Sequence, residues 1–193
     1  MCPDCMAEYG NPLDRRFDAQ PNACALCGPR LRLIDPSGRA ADGDPIDGAA
    51  ARLAAGAILA VKGLGGYHLA CLATDDRAVA ALRARKARPH KSLAVMFASL
   101  DELAGHCACT PVEREALESA AAPIVVLPRL AGCGLSVLVS PDTRDVGAFL
   151  PYTPLHHLLL RRCSPLVMTS GNLAEEPIVA TEEELSRILG PIA

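Results

Sequence analysis

The sequence predicts an α/β domain preceded by a small cysteine-bearing module, and three observations carry that prediction. From Asp47 onward, short apolar runs bounded by glycine or proline alternate with capped, amphipathic stretches, as strands and helices do when they alternate along a chain. Before about residue 30 there is no sustained apolar periodicity, yet four cysteines stand there in two Cys-x-x-Cys pairs. Aromatic residues are scarce and tryptophan is absent. The core has to be assembled from Ala, Leu, Val and Ile, which suits helices layered on a sheet.

The 193 residues, half of them hydrophobic, suffice for one α/β domain and a small module. A formal net charge of −3 argues against a general nucleic-acid or anionic-membrane binder, because counterion release needs a basic face. The longest apolar stretch, near Ala54 to Val61, falls far short of the roughly 20 residues a bilayer span requires. Met1-Cys2-Pro3-Asp4-Cys5 has neither the basic nor the apolar region of a secretion signal. Nine cysteines, an odd count behind such a start, favour metal ligands in a reducing cytosol over a disulfide framework. The expected location is cytoplasmic, with no membrane partner.

The elements follow in order. Residues 35–48 are rich in turn formers and read as a linker or hairpin. Asp47 to Ala55 is a short helix and Ala57 to Val61 a buried strand. Thr74 caps a helix running to about Arg85, with Asp75 and Asp76 in its first turn and Arg83, Arg85 and Lys86 at its end, as the macrodipole prefers. Ser92 to Phe97 is a strand. Capping boxes are expected at Ser99…Glu102, Thr110…Glu113 and Thr181…Glu184. Further strands are expected at Ile124–Leu127, Leu135–Val139 and Leu166–Thr169.

Cys2-x2-Cys5-x18-Cys24-x2-Cys27 pairs two knuckles across a spacer typical of tetrahedral zinc sites. Gly28 lets the second turn close. Four thiolates leave no open coordination position, so such a site is structural. A polar segment this short has little apolar surface of its own to order it. The other five cysteines show no ligand spacing and read as small core or surface residues.

Three stretches qualify as phosphate sites. Lys86-Ala87-Arg88-Pro89-His90-Lys91-Ser92 gathers three cations between a helix end and a strand, and arginine can grip phosphate oxygens bidentately. Charge alone fits a solvated basic helix end equally well. Thr169-Ser170-Gly171-Asn172 follows a strand, where open α/β sheets bind ligands, or is simply a turn. Lys62-Gly63-Leu64-Gly65-Gly66 also follows a strand. It is not a P-loop, and His68 stands where a dinucleotide fingerprint has its third glycine.

Lys86-x-Arg88 followed by Ser170-x-Asn172 resembles the YrdC family, the nucleotide-binding fold of threonylcarbamoyl-AMP synthases. Longer strings are similar to the HypF carbamoyltransferase family. They are Asp14-Arg15-Arg16-Phe17, Cys24-x-x-Cys27-Gly28-Pro29, Lys62-Gly63-Leu64-Gly65-Gly66-Tyr67-His68-Leu69, Leu150-Pro151-Tyr152-Thr153-Pro154-Leu155-His156-His157 and Thr169-Ser170-Gly171-Asn172-Leu173. Asp18 departs from the family string, which has His there.

The resemblance implies a twisted mixed-sheet, YrdC-like domain over residues 47–193 behind a four-cysteine zinc finger over residues 1–34, with 35–46 as linker. It implies a part in [NiFe] hydrogenase maturation. Carbamoyl-adenylate is formed from ATP and carbamoyl phosphate or carbamate, and the carbamoyl group passes to the C-terminal cysteine of HypE. Structural Zn2+, with ATP and Mg2+, are the implied cofactors. Lys86 and Arg88 are the implied catalytic residues. Lys62, Lys86, Arg88, Lys91, Ser170 and Asn172 would meet phosphates, Mg2+ or the carbamoyl carboxylate. His68, His156 and His157 are candidates without an assigned partner. Against the family pattern, an acylphosphatase-like domain, a first zinc finger and a large C-terminal domain are missing and the YrdC-like fold is expected to be incomplete at its C-terminus, so the chain reads as a fragment or truncated gene. A non-catalytic nucleotide- or RNA-binding YrdC-like module and a threonylcarbamoyl-AMP synthase-like enzyme remain as alternatives.

Overall fold

The structure, a computed structural model, describes residues 1–173 and 176–193. It divides into two compact units, Met1–Arg32 and Leu33–Ala193.

The first unit holds one helix, α1 (Pro3–Gly10), which the absence of periodicity had hidden. Pro3 at its first position needs no hydrogen-bond partner for its nitrogen, and Cys5 is its buried residue. The segment after it is a succession of tight turns. Asp18 takes a positive φ of 52°, which Asp tolerates better than most residues, and its carboxylate accepts from Tyr9 Oη at 2.7 Å. Gly28 is required where it stands, because an added Cβ would lie 2.7 Å from the Cys24 carbonyl oxygen.

The second unit opens with a small hairpin across residues 34–40, closed by an Ile34–Ala40 bridge. It is followed by α2 (Pro45–Ala54), β1 (Leu59–Lys62), β2 (Tyr67–Leu72), α3 (Asp76–Arg85), β3 (Val95–Met96), α4 (Leu100–Ala104) and α5 (Pro111–Glu118). Then come β4 (Val125–Pro128), a 3-10 turn (Val137–Val139), β5 (Asp145–Phe149), α6 (Pro154–Leu160), β6 (Leu166–Ser170) and α7 (Glu182–Glu184), which runs into a π-turn (Leu185–Leu189). The strands form one sheet in the order β1-β2-β6-β3-β5-β4. β3 and β5 pair in parallel and the other neighbours are antiparallel. The sheet is mixed, as expected.

Side chains alternate between its faces. Leu69, Cys71, Val95 and Val167 join Val79 and Leu82 of α3 in one core. Ala70, Met96, Leu166 and Met168 join Leu53 of α2 and Leu159 and Leu160 of α6 in the other. Because both faces are covered, the central strands are apolar over most of their length, as in Leu69–Leu72 and Leu166–Met168, and carry no alternation for the sequence to show. That is why β2 was not anticipated. β5 was hidden by Gly147 and Ala148, poor strand formers. Gly147 belongs there because a Cβ would press to 3.0 Å from Ile124 Cγ2.

Other boundaries differ for local reasons. α2 begins two residues before the expected Asp47, capped by Asp44, which accepts from the Ile46 and Asp47 amides. Asp75, not Thr74, caps α3. The expected strand over Ser92–Phe97 shrinks to two residues. The strand expected at Leu135–Val139 is a 3-10 turn, held by the Ser136 hydroxyl on the Leu138 amide. Thr110 and Glu113 form a complete capping box. Glu102 and Glu184 instead turn to the amides of Ala98 and Ala180, one residue before their caps.

α3 ends in a Schellman turn, with Ala87 N–H donating to Ala84 O and Arg88 N–H to Arg83 O. Its left-handed position, normally glycine, is Ala87 at φ 50°. A left-handed alanine costs about 1 kcal/mol. Ala87→Gly should therefore raise unfolding free energy by up to about 1 kcal/mol, read as a higher midpoint in urea with unchanged slope.

Candidate functional site

In the first unit, α1 and the turn at Cys24–Gly28 bring the four predicted ligands together. Cys2 Sγ lies 3.6 Å from Cys24 Sγ, Cys27 Sγ 3.7 Å from Cys5 Sγ, and Cys24 Sγ 3.9 Å from Cys27 Sγ. All four sulfurs fall within 4.8 Å of one another. A tetrahedron with Zn–S bonds of about 2.3 Å has S···S edges of about 3.8 Å, so the cluster fits zinc. The surroundings fit as well. Main-chain amides of Cys24 and Cys2 pull the Cys27 thiol down to about 6, and those of Cys27 and Leu26 lower Cys24. Burial, and then the neighbouring thiols, push Cys5 up to about 12. Thiolates this close repel one another unless a cation sits among them. Asn22 Nδ2 donates to Cys5 O at 2.8 Å, tying the second half of the unit to α1.

In the second unit the polar centre lies at the end of α3. Asp75 at its N-cap and an Ala/Leu/Arg-rich body make α3 a helix. Its buried stripe runs Val79, Leu82, Arg83, Lys86, the i, i+3, i+4, i+7 spacing of an apolar face. Two cations therefore stand where hydrophobic residues belong.

Lys86 is fully buried. Its ammonium donates to Ser170 O at 2.5 Å, Asn172 O at 2.6 Å and Asn172 Oδ1 at 2.9 Å. An ammonium has three hydrogens, and all are taken by the protein. A phosphate contact from Lys86, as the resemblance implies, needs one of these bonds exchanged. Ser170 Oγ also donates to Asn172 Oδ1, at 2.8 Å, and Asn172 Nδ2 donates to Glu176 O at 2.6 Å. The amide of Asn172 is thus committed to the turn, while Ser170 Oγ keeps its acceptor lone pairs.

Arg83, which sequence reasoning placed only as a helix-end charge, is the second hub. Nε donates to Leu138 O at 2.5 Å, Nη2 to Val139 O at 3.1 Å, and Nη1 lies 2.8, 3.0 and 3.1 Å from the carbonyl oxygens of Arg88, Pro89 and Lys91. Among the described residues no carboxylate pairs with Arg83 or Lys86. Burial lowers the Arg83 guanidinium, and the field of Asp142 partly restores it. Burial, and then the charges of Arg88 and Lys91, pull Lys86 down to about 8.

Ser170, Asn172 and Lys86 are therefore in direct contact, with Arg88 and Lys91 close enough to act on Lys86. Arg88 is half-buried and Lys91 exposed. Lys62 is not in this network. Its Nζ donates to Ala180 O at 2.5 Å and lies 4.6 Å from the centre of the Tyr67 ring. It stays on the same sheet end, since Tyr67 O accepts from Gly171 N–H at 2.7 Å. His68 stands opposite Ser170 in the ladder and shares a 2.9 Å hydrogen bond with Tyr152 Oη. His156 is fully buried, with neither ring nitrogen partnered among the described residues, and burial holds it neutral, down to about 4. His157 is exposed.

This is a mixed α/β sheet of the YrdC type behind a four-cysteine finger. Residues 51–193 match the Sua5/YciO/YrdC family model, described as "Telomere recombination", and residues 1–34 match the HypF finger model. The chain belongs to the Sua5/YciO/YrdC family and carries a HypF finger. Its full length is similar to carbamoyltransferase HypF of Rhodobacter capsulatus, 53% identical over 194 residues, which are 26% of that protein. The crystal structure of full-length HypF in the phosphate- and nucleotide-bound form superposes with a TM-score of 0.91 at 43% identity, over all of this chain and 25% of that one. The crystal structure of E. coli YciO, 19% identical with a TM-score of 0.64 over 76% of this chain and 74% of its own, shares the fold. The chain thus corresponds to a finger and a YrdC-like domain of HypF. It spans about a quarter of the length of those HypF proteins. No helix among the described residues is long and apolar enough to cross a membrane.

The buried lysine yields a direct check. Between about 8 and its ordinary 10.5, the unfolded chain holds the Lys86 proton more tightly than the folded one. Lys86 therefore makes unfolding free energy rise with pH across that window. The 13Cε resonance of Lys86 should titrate near 8 in the folded protein, and the stability rise should be smaller in Lys86→Met.

Proposed function

We propose that this chain is the zinc-stabilised, adenylate-forming part of a HypF-type carbamoyltransferase, acting in [NiFe] hydrogenase maturation in the cytoplasm. In this reading ATP binds as its Mg2+ complex, a carbamate oxygen derived from carbamoyl phosphate attacks the α-phosphorus, and pyrophosphate leaves. The resulting carbamoyl group is destined for the C-terminal cysteine of HypE.

The observation that carries the reading is the positive charge, without a pairing carboxylate among the described residues, where α3, the 88–91 loop and the 170–172 turn meet. Two buried cations with no carboxylate pairing with them among the described residues, next to two more basic residues, make a place that an anion completes. Arg88 and Lys91 grip phosphate oxygens. Lys86 holds the turn and lends its charge, and Ser170 Oγ offers lone pairs to Mg2+ or a ligand hydrogen. Lys62 at its strand end takes the carbamoyl carboxylate by releasing Ala180 O. The work asked of these groups is positioning and charge neutralisation. The nucleotide-bound form of full-length HypF supports a nucleotide here by likeness. The four thiolates would hold Zn2+, which supplies order to the first unit and no chemistry to the reaction.

Titration calorimetry with Mg-ATP, with and without carbamoyl phosphate, tests this. Losing a charge-assisted phosphate contact costs roughly 1.5–3 kcal/mol, so Arg88→Ala should weaken ATP binding about ten-fold or more while the melting temperature hardly moves. Equal affinity in parent and mutant would leave the basic loop a solvated helix end. RNA binding with steep salt dependence, and none for ATP, would favour an RNA-binding module instead.

The metal is tested separately. One zinc per chain should co-purify, and a chelator should abolish amide protection in residues 1–32 while the remaining residues stay protected. Freshly reduced protein with negligible zinc would refute the assignment.

A further inference from the structure

The basic loop after α3 owes its shape to a residue that does not belong to it. Three of its carbonyls, those of Arg88, Pro89 and Lys91, converge on the single nitrogen Nη1 of Arg83, and the remaining donors of that guanidinium fix Leu138 O and Val139 O in the 3-10 turn beside it. In a trans peptide the N–H points opposite to the C=O. The peptide after Arg88 has no N–H because Pro89 follows. The peptides after Pro89 and Lys91 turn the amides of His90 and Ser92 away from Arg83. Among the described residues neither amide has a partner, nor has that of Lys91 between them, whereas the amides at the two ends of the loop do, Arg88 N–H on Arg83 O and Leu93 N–H on Val139 O. Main-chain amides turned outward beside basic side chains form the kind of concavity that holds phosphate oxygens.

We propose that Arg83 is a positioning residue for a polyphosphate ligand, folding the 88–91 loop so that the His90 and Ser92 amides add two main-chain donors to the charges of Arg88 and Lys91. The proposal rests on the nucleotide reading above and adds to it a main-chain phosphate subsite and the residue that builds it. Lys86, one turn along the same face of α3, orders the 170–172 turn in the same manner. α3 thereby sets two loops far apart in sequence against each other before any ligand arrives. Lysine cannot replace Arg83, because a compact ammonium cannot reach five carbonyls spread around a planar fork.

The test uses the full zinc-loaded chain and inorganic triphosphate as probe. In 15N-resolved spectra of the parent, the His90 and Ser92 amide resonances should move on titration, saturating at the affinity that calorimetry gives. Triphosphate binding with those two resonances unmoved would overturn the proposal. Arg83→Lys should bind triphosphate at least ten-fold more weakly, with Asn172 resonances and zinc content as in the parent. Within the second unit only the amides of Arg88 and Leu93, hydrogen-bonded at the two ends of the loop, should exchange faster. Parent-like triphosphate affinity in Arg83→Lys would overturn it, as would loss of protection spread over the whole second unit. The parent titration decides the matter even if the variant fails to fold. Absence of triphosphate binding by the parent would bring down the nucleotide reading itself, a result distinct from bound triphosphate that leaves the amides unmoved.

Discussion

Burying a charge costs several kcal/mol even after relaxation, and this domain buries two, Arg83 and Lys86, on one face of one helix with no carboxylate pairing with either among the described residues. Carbonyl oxygens hold them there. Each charge-assisted hydrogen bond contributes roughly 1.5–3 kcal/mol. Lys86 has three such contacts and Arg83 five, enough together to offset desolvation. Much of what surrounds the candidate site follows from this exchange. The 88–91 loop, the end of the 3-10 turn and the 170–172 turn all direct carbonyls at the same helix end.

The position of these cations on α3 is as telling as their number. Both lie in or just after the last turn of the helix, where the unsatisfied carbonyl end of the macrodipole favours positive charge. The helix itself therefore lowers the cost of burying them. An acid in this place would satisfy the cations more cheaply, but it would also cancel the field an anionic ligand needs. Carbonyl oxygens solvate a cation without neutralising it. Net charge is preserved while the local hydrogen bonding is filled.

What the sequence showed depended on whether a feature is local. The cysteine cluster was legible because Cys-x-x-Cys encodes a turn geometry over four residues, and two such turns leave few alternatives. The α/β class was legible from capped helices such as α3 and α5. β2 and β5 were not, because burial on both faces erases alternation and Gly147 is placed for its neighbour Ile124 rather than for strand propensity. Among the site residues, Lys86, Ser170 and Asn172 were found together, although the sequence could not show that Lys86 spends its hydrogens on the other two. Arg83 was missed because two of its partners, Leu138 and Val139, lie 55 and 56 residues away, and the nearer ones are main-chain carbonyls, which every residue carries. One signal was available. Val79 and Leu82 mark the buried stripe of α3, and extending that stripe by its own period lands on Arg83 and Lys86.

A charged residue on an apolar stripe thus carries more information than one in a basic cluster. The cations of Lys86-Ala87-Arg88-Pro89-His90-Lys91 look alike in sequence, and a solvated helix end would display the same run. Their environments separate them. His90 is exposed beside Asp142, Lys91 is exposed, Arg88 is half-buried and Lys86 is sealed. A cation that faces solvent can be present for solubility alone, since its hydration is undisturbed. A cation sealed from water is tolerated only where the fold supplies its hydrogen bonds, and supplying them fixes whatever carries the acceptors. In this domain six of the eight acceptors belong to two of the three segments that sequence reasoning had separately nominated as phosphate sites, and Leu138 O and Val139 O of the 3-10 turn supply the rest. Their convergence on one helix end is what turns two weak nominations into a single place.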